Sequence, residues 1–229
     1  MQQTRRSGRV PLMVALELCA ALLLAVVMAT ALTGLTGRPL VADDSMQPAV
    51  PEGTRLWVKD AHKLARGDLV VVEPHPQWAG ARKDSSSRLN RAMRSLRLAS
   101  PAQGTRMLTR IVGVPGDEVR CCADGRVLVN GAATPAPPTG GNFFRVVVPE
   151  GFYFVSTDAP GGASSQCYLH RLGSGALVPR ERVVGKSYSA GWPWARVDLA
   201  RGAAPYTGIA PGSTPPRDPI IEAAKDPAC

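Results

Sequence analysis

A chain of 229 residues, 45% of them hydrophobic, can bury one sizeable core, so one folded domain with extensions is expected. The formal net charge of +9 points to anionic partners, but no zinc-finger spacing, helix-turn-helix signal or interleaving of aromatic with basic residues accompanies it, which argues for no nucleic acid partner. A basic face toward anionic membrane lipid explains the charge more simply.

Residues 1 to 10 carry Arg5, Arg6 and Arg9 and are expected to stay in the cytoplasm. The following run, PLMVALELCAALLLAVVMATALTGL over residues 11 to 35, holds one charged residue, Glu17, and is long enough for a hydrocarbon core of about 30 Å. It predicts one N-terminal transmembrane helix, a signal-anchor. The chain would then be a single-pass protein of the cytoplasmic (plasma) membrane with its main domain extracytoplasmic. A cleaved signal peptide is the competing reading, disfavoured because the run exceeds the roughly 7–15 apolar residues that such peptides use. Cys19 falls inside the anchor, whereas Cys121, Cys122, Cys167 and Cys229 would lie in an oxidising compartment. A bridge from the Cys121/Cys122 pair to Cys167 and a set of free buried thiols both remain open. Without a CxxC or a neighbouring histidine, no metal site is expected.

Beyond the anchor, TRLWVKD (54 to 60) and DLVVVEP (68 to 74) are β-branched runs separated by Arg66-Gly67-Asp68, a strand–turn–strand pattern. Residues 77 to 106 form a basic insertion. Within it Leu89, Met93 and Leu96 fall at helical spacing among arginines, which reads either as an amphipathic helix on anionic headgroups or as a solvated loop. Strand signals resume with MLTRIVGV, a Pro115-Gly116-Asp117 turn, EVRCC, an Asp124-Gly125 turn, RVLVNG and FFRVVVPEGFYFVS. Antiparallel β-sheet is therefore expected to dominate from 54 to about 194. Alanine, glycine and proline crowd residues 195 to 229, which predicts a disordered tail.

In chain order the sequence presents the apolar anchor, Ser45-Met46-x-Pro48, Arg66-Gly67-Asp68-x-Val70-Val71, Arg110-Ile111-Val112-Gly113-x-Pro115-Gly116-Asp117, Asn130-Gly131 and Val178-Pro179-x-x-x-Val183-x-Gly185. The series resembles the bacterial type I signal peptidases (peptidase S26), membrane-anchored serine endopeptidases that remove signal peptides from exported preproteins. The resemblance covers roughly residues 10 to 194. It implies a mainly β, antiparallel signal-peptidase-like domain over 36–194, signal-peptide-bearing preproteins as substrates, and no metal or organic cofactor.

Taken alone, a serine before Met46 and Pro48 is an ordinary turn former. The resemblance makes Ser45 the nucleophile and its backbone N–H an oxyanion donor, with Met46 in support. A hydroxyl attacks poorly at neutral pH until a base within hydrogen-bond reach takes its proton, and a lysine serves only when desolvation lowers its pKa. The family places that lysine immediately before the Arg-x-x-Gly-x-Pro-Gly-Asp block. Here the position is Thr109, which cannot be the base, and Arg110 beside it stays protonated. Asp43 stands two positions before Ser45, where it is expected to point away or to be protonated, since a carboxylate repels a developing oxyanion. A second family block is reduced to Thr157 through Cys167. In it Asp158 survives, and Ser164 could stand for the serine that orients the lysine.

Three residues could supply a relocated base, Lys186, Lys83 and His170, each of which reads equally as a solvated side chain. A Ser45, His170, Asp158 arrangement would repeat the logic of a serine–histidine–carboxylate triad. The rival to a protease is a catalytically impaired homologue that binds exported or membrane polypeptides without cleaving them. A transfer enzyme resolving its acyl intermediate with an amine is a third reading.

Overall fold

The computed structural model describes residues 9–36, 38–78, 106–123, 125–138, 142–190 and 198–224. Helix α1 (Arg9–Thr36) comes first. Twelve strands follow: β1 (Arg38–Val41), β2 (Arg55–Lys59), β3 (Leu69–Val72), β4 (Met107–Gly113), β5 (Glu118–Ala123), β6 (Arg126–Val129), β7 (Ala132–Ala133), β8 (Phe144–Val147), β9 (Phe152–Ser156), β10 (Val178–Pro179), β11 (Val183–Ala190) and β12 (Ile220–Ala223). They form a seven-stranded sheet in the order β1-β2-β11-β3-β4-β9-β10 and a five-stranded sheet in the order β12-β8-β5-β6-β7. Every neighbouring pair is antiparallel, as the alternating β-branched runs predict.

The central strand β3 shows how the sequence sorts its apolar residues. All four positions of Leu69-Val70-Val71-Val72 are buried, so the strand is covered on both faces. Because side chains alternate, Leu69 and Val71 join a cluster with Leu40, Ala42, Met46, Val50, Leu56, Val58 and Leu108. Val70 and Val72 join the larger core, where Ile111, Val119, Val146 and Phe154 meet. The smaller cluster reaches to the stretch that holds Ser45. At the β6–β7 hairpin, Asn130 (φ 49°) and Gly131 (φ 84°) supply the two positive-φ positions of a two-residue turn, with Val129 opposite Ala132.

Helix α1 exposes Leu16, Leu18, Leu22, Leu23, Leu24 and Met28 rather than packing them into either core. Among the described residues no helix is long and apolar enough to cross a membrane, so the expected span is not carried by the structure itself.

The expected disordered tail is corrected. Asp198 caps helix Leu199–Ala203 by accepting from the N–H groups of Ala200 and Arg201. Tyr206 is buried, the carbonyls of Ile209 and Ala210 accept from Arg66, and Ser213 N–H donates to the Gly116 carbonyl. Strand β12 completes one edge of the five-stranded sheet by pairing with β8. The segment is poor in large apolar side chains, and main-chain hydrogen bonds hold it where composition predicted nothing would.

The basic insertion lies outside the described residues from 79 to 105, so its amphipathic helix is not described. Its leading edge is anchored by Trp78, which stacks on Tyr168 at 4.8 Å and donates to the Gly175 carbonyl at 3.1 Å. Among the described residues Cys121 is joined to Cys122, Cys167 is also disulfide-bonded, and Cys19 is the one free cysteine, so the reading of free buried thiols is set aside there.

Candidate active site

The turn that carries Ser45 leaves the end of β1 and returns at β2. Ala42 N–H donates to the Thr54 carbonyl and Gly53 N–H to the Ala42 carbonyl, both at 2.9 Å, which closes residues 42–54 into a loop. Inside it, a 3-10 turn covers Asp44–Met46. Met46 is fully buried among Leu56, Val71 and Leu108, so the residue after the serine nails the turn to the sheet. Ser45 itself stays partly exposed. Its carbonyl accepts from Ala159 N–H at 3.0 Å.

Asp43 does not point away. Its Oδ1 accepts from Ser45 N–H at 3.2 Å and from the Ser45 hydroxyl at 2.5 Å. The first bond is an ordinary N-cap, for which aspartate is a favoured residue. The second makes Asp43 the one partner of the Ser45 hydroxyl among the described residues.

Strand β4, against which this turn packs, alternates its neighbouring residues between two environments. Arg110 is 3% exposed and lies opposite Leu69 and Ser156. Its guanidinium holds both oxygens of Asp158, Nε to Oδ1 at 2.8 Å and Nη2 to Oδ2 at 2.5 Å, and Nη1 donates to the Gly67 carbonyl at 2.7 Å. Burial by itself lowers the affinity of this guanidinium for its proton; the hydrogen bond and charge of Asp158 more than reverse that, leaving its pKa above the ordinary value. The dipeptide Asp158-Ala159 thus links Arg110 on one side to Ser45 on the other. Thr109 lies opposite Val70, is fully buried, and its hydroxyl has no hydrogen-bond partner among the described residues.

The remaining candidates are scattered. Lys186 shares a row of the sheet with Val70 and Thr109, and its Nζ is 2.6 Å from Asp68 Oδ1. Ser164 is fully buried with its hydroxyl 3.2 Å from Cys167 Sγ. His170 is exposed on the helical turn Leu169–Leu172, and Lys83 lies outside the described residues. The structure therefore gathers Ser45, Met46, Asp43 and, through Ala159, Asp158. The contact of Asp43 with the hydroxyl was the part that sequence reasoning missed. The available signal was an N-cap residue two positions before the serine, short enough to bond its neighbours. No group of three metal-ligating side chains occurs among the described residues.

The family model for signal peptidase, peptidase S26, matches residues 14–192. The chain belongs to the peptidase S26 family. It is 28% identical over 193 residues to a probable signal peptidase I-2 of Synechocystis sp., covering 80% of this chain and 76% of that protein. It is 25% identical over 193 residues to a signal peptidase I of Bacillus licheniformis, covering 76% and 87%. Membership makes the chain a hydrolase of the serine-peptidase kind with a signal-peptidase-like, mainly antiparallel β fold. The peptidase S26 match takes in Ser45, Thr109, Asp158 and Lys186 and ends before helix Leu199–Ala203, so the C-terminal strap stands outside it.

Proposed function

We propose that this chain is a membrane-bound serine endopeptidase of the signal peptidase I type, which removes signal peptides from exported preproteins with Ser45 as nucleophile. One observation carries the reading: Ser45 sits partly exposed on a turn fixed by buried Met46, by Ala159 and by Asp43, inside the peptidase S26 match. A hydroxyl held in this way loses little orientational freedom when it meets a carbonyl. Its backbone N–H supplies the oxyanion donor once substrate displaces the Asp43 cap. The substrate lies as an added β-strand along an exposed sheet edge, with alanine-like side chains at the first and third positions before the cut.

Helix α1 is the anchor in this reading, crossing the cytoplasmic membrane once with its N-terminus in the cytoplasm. Large apolar side chains exposed outside both cores support this, because lipid is the surrounding that such a surface fits. The extracytoplasmic domain then works close to anionic headgroups.

Thr109 favours a second reading, a catalytically impaired homologue that binds such polypeptides without cleaving them, since a fully buried threonine occupies the lysine position. Both are tested by incubating the full chain in lipid vesicles with a preprotein bearing an Ala-x-Ala site. Cleavage that falls at least about 1,000-fold in Ser45→Ala, with an unchanged melting temperature, is the expected result. No cleavage by the wild type, together with retained binding of the preprotein, establishes the second reading.

A further inference from the structure

We propose that Asp43 is the general base that activates Ser45, standing in for the lysine that Thr109 has replaced; this rests on the reading of Ser45 as a protease nucleophile. Asp43 Oδ1 is 2.5 Å from the Ser45 hydroxyl and accepts its hydrogen, the geometry required of a base in the ground state. The nearby alternatives are committed elsewhere or chemically unfit. Thr109 has no basic atom, Arg110 is clamped on Asp158 and Gly67, and Lys186 is paired with Asp68. The charged groups on the loop and on the elements beside it are Asp44 and Glu52, Arg38 of β1, Arg55 and Lys59 of β2, and Arg110 and Asp158, the last two satisfied by each other. Asp43 forms no ion pair among the described residues, so its carboxylate is free to take a proton.

The steps balance with water as the only co-reactant. Ser45 Oγ attacks the scissile carbonyl carbon, its proton passes to Asp43 Oδ1, and the carbonyl π electrons move to oxygen. Asp43 becomes a neutral acid in the same step. The repulsion that a carboxylate would exert on the oxyanion disappears as the oxyanion forms, and the Ser45 N–H that had been bonded to Asp43 turns to the new negative charge. Asp43 next gives its proton to the leaving amine as the C–N bond breaks. Water then attacks the ester carbon and passes a proton to Asp43, which returns it to Ser45 Oγ as the C–O bond breaks.

The test is kcat and KM against pH for the full chain in vesicles, comparing wild type, Asp43→Asn and Ser45→Ala. Asparagine can keep the cap on Ser45 N–H but cannot serve as the base. The expected result is a kcat lowered about 10²–10⁴-fold in Asp43→Asn, with KM within about twofold and melting unchanged. The wild-type kcat/KM should show no limb at neutral or alkaline pH. A controlling limb at neutral or alkaline pH, where a histidine or lysine loses its proton, overturns the assignment without relying on any variant. Asp43→Asn with wild-type kcat also overturns it, and if Ser45→Ala is then silent the protease reading stands alone. A wild type silent at every pH overturns both.

Discussion

At the Pro115-Gly116-Asp117 turn every carboxylate lone pair is matched. Asp117, fully buried, accepts from Arg66 Nε and Nη2 at 2.6 Å each, from Val114 N–H at 2.9 Å and from Asn130 Nδ2 at 2.9 Å. Arg66 and Asn130 spend their other donors on the Ile209 and Ala210 carbonyls, and Asn130 Oδ1 accepts from Glu118 N–H. At the Ser45 corner the counts are thin. Among the described residues Ser45 has one acceptor for its hydroxyl, and the buried hydroxyl of Thr109 has no partner. The Asp117 network is thus fully satisfied, while the Ser45 and Thr109 corner is sparsely bonded among the described residues. A framework network cannot lose a member without stranding a buried charge; a catalytic residue can be replaced with little structural penalty.

The strongest way to break this contrast is Arg66→Ala. It strands the buried Asp117 carboxylate, and loss of one partner from such a pair costs about 3–5 kcal/mol. Urea denaturation should show that loss; a change below about 1 kcal/mol would mean the network is not a structural centre. Gly116→Ala comes next. Gly116 has φ 89°, and a Cβ there would run into the Ser213 carbonyl oxygen, so the variant pays for a left-handed residue and dislodges the strap. A loss of about 2 kcal/mol is expected, accompanied by faster amide exchange at Ser213 and along β12. Unchanged exchange there would show that the strap does not depend on the turn.

Much of this was legible beforehand, for identifiable reasons. The β-branched runs TRLWVKD and DLVVVEP announced strands β2 and β3, because those signals are local. The strap was misread because its stability rests on carbonyls of Ile209, Ala210 and Pro216 meeting donors far away in the chain, and backbone groups leave no trace in composition. The same limit hid the Asp43 contact. Sequence shows which residue stands two positions before Ser45 but not where its carboxylate turns, and here the N-cap decides the direction.

Thr109→Val sharpens the contrast from the other side. Burying a hydroxyl without a partner carries a penalty of about 1–3 kcal/mol, and valine nearly preserves the shape. The variant should be more stable by about 1 kcal/mol, a gain reduced by imperfect packing of the added methyl. Destabilisation instead would mean that the hydroxyl has a partner in solution, and with it a role at the site.

Tyr206→Phe applies the same reasoning within the strap and adds a pH signature. The Tyr206 hydroxyl is buried beside the Arg110–Asp158 pair without a hydrogen bond among the described residues. Burial raises its pKa well above the ordinary value; Arg110 pulls it down and Asp158 pushes it up, and burial dominates. In the unfolded chain a tyrosine loses its proton near pH 10, whereas folded Tyr206 keeps its own, so above that pH the folded state binds more protons than the unfolded state. The contribution of Tyr206 to stability is therefore complete below about pH 10 and is lost as pH rises toward the folded pKa. Phenylalanine has no proton to lose. At pH 8 the two proteins should differ by under about 1 kcal/mol. Between pH 10 and 11.5 the wild type should weaken relative to the variant by up to about 1.4 kcal/mol for each pH unit. Parallel denaturation curves across that range would mean that Tyr206 meets solvent, and that the strap does not seal the Arg110–Asp158 pair.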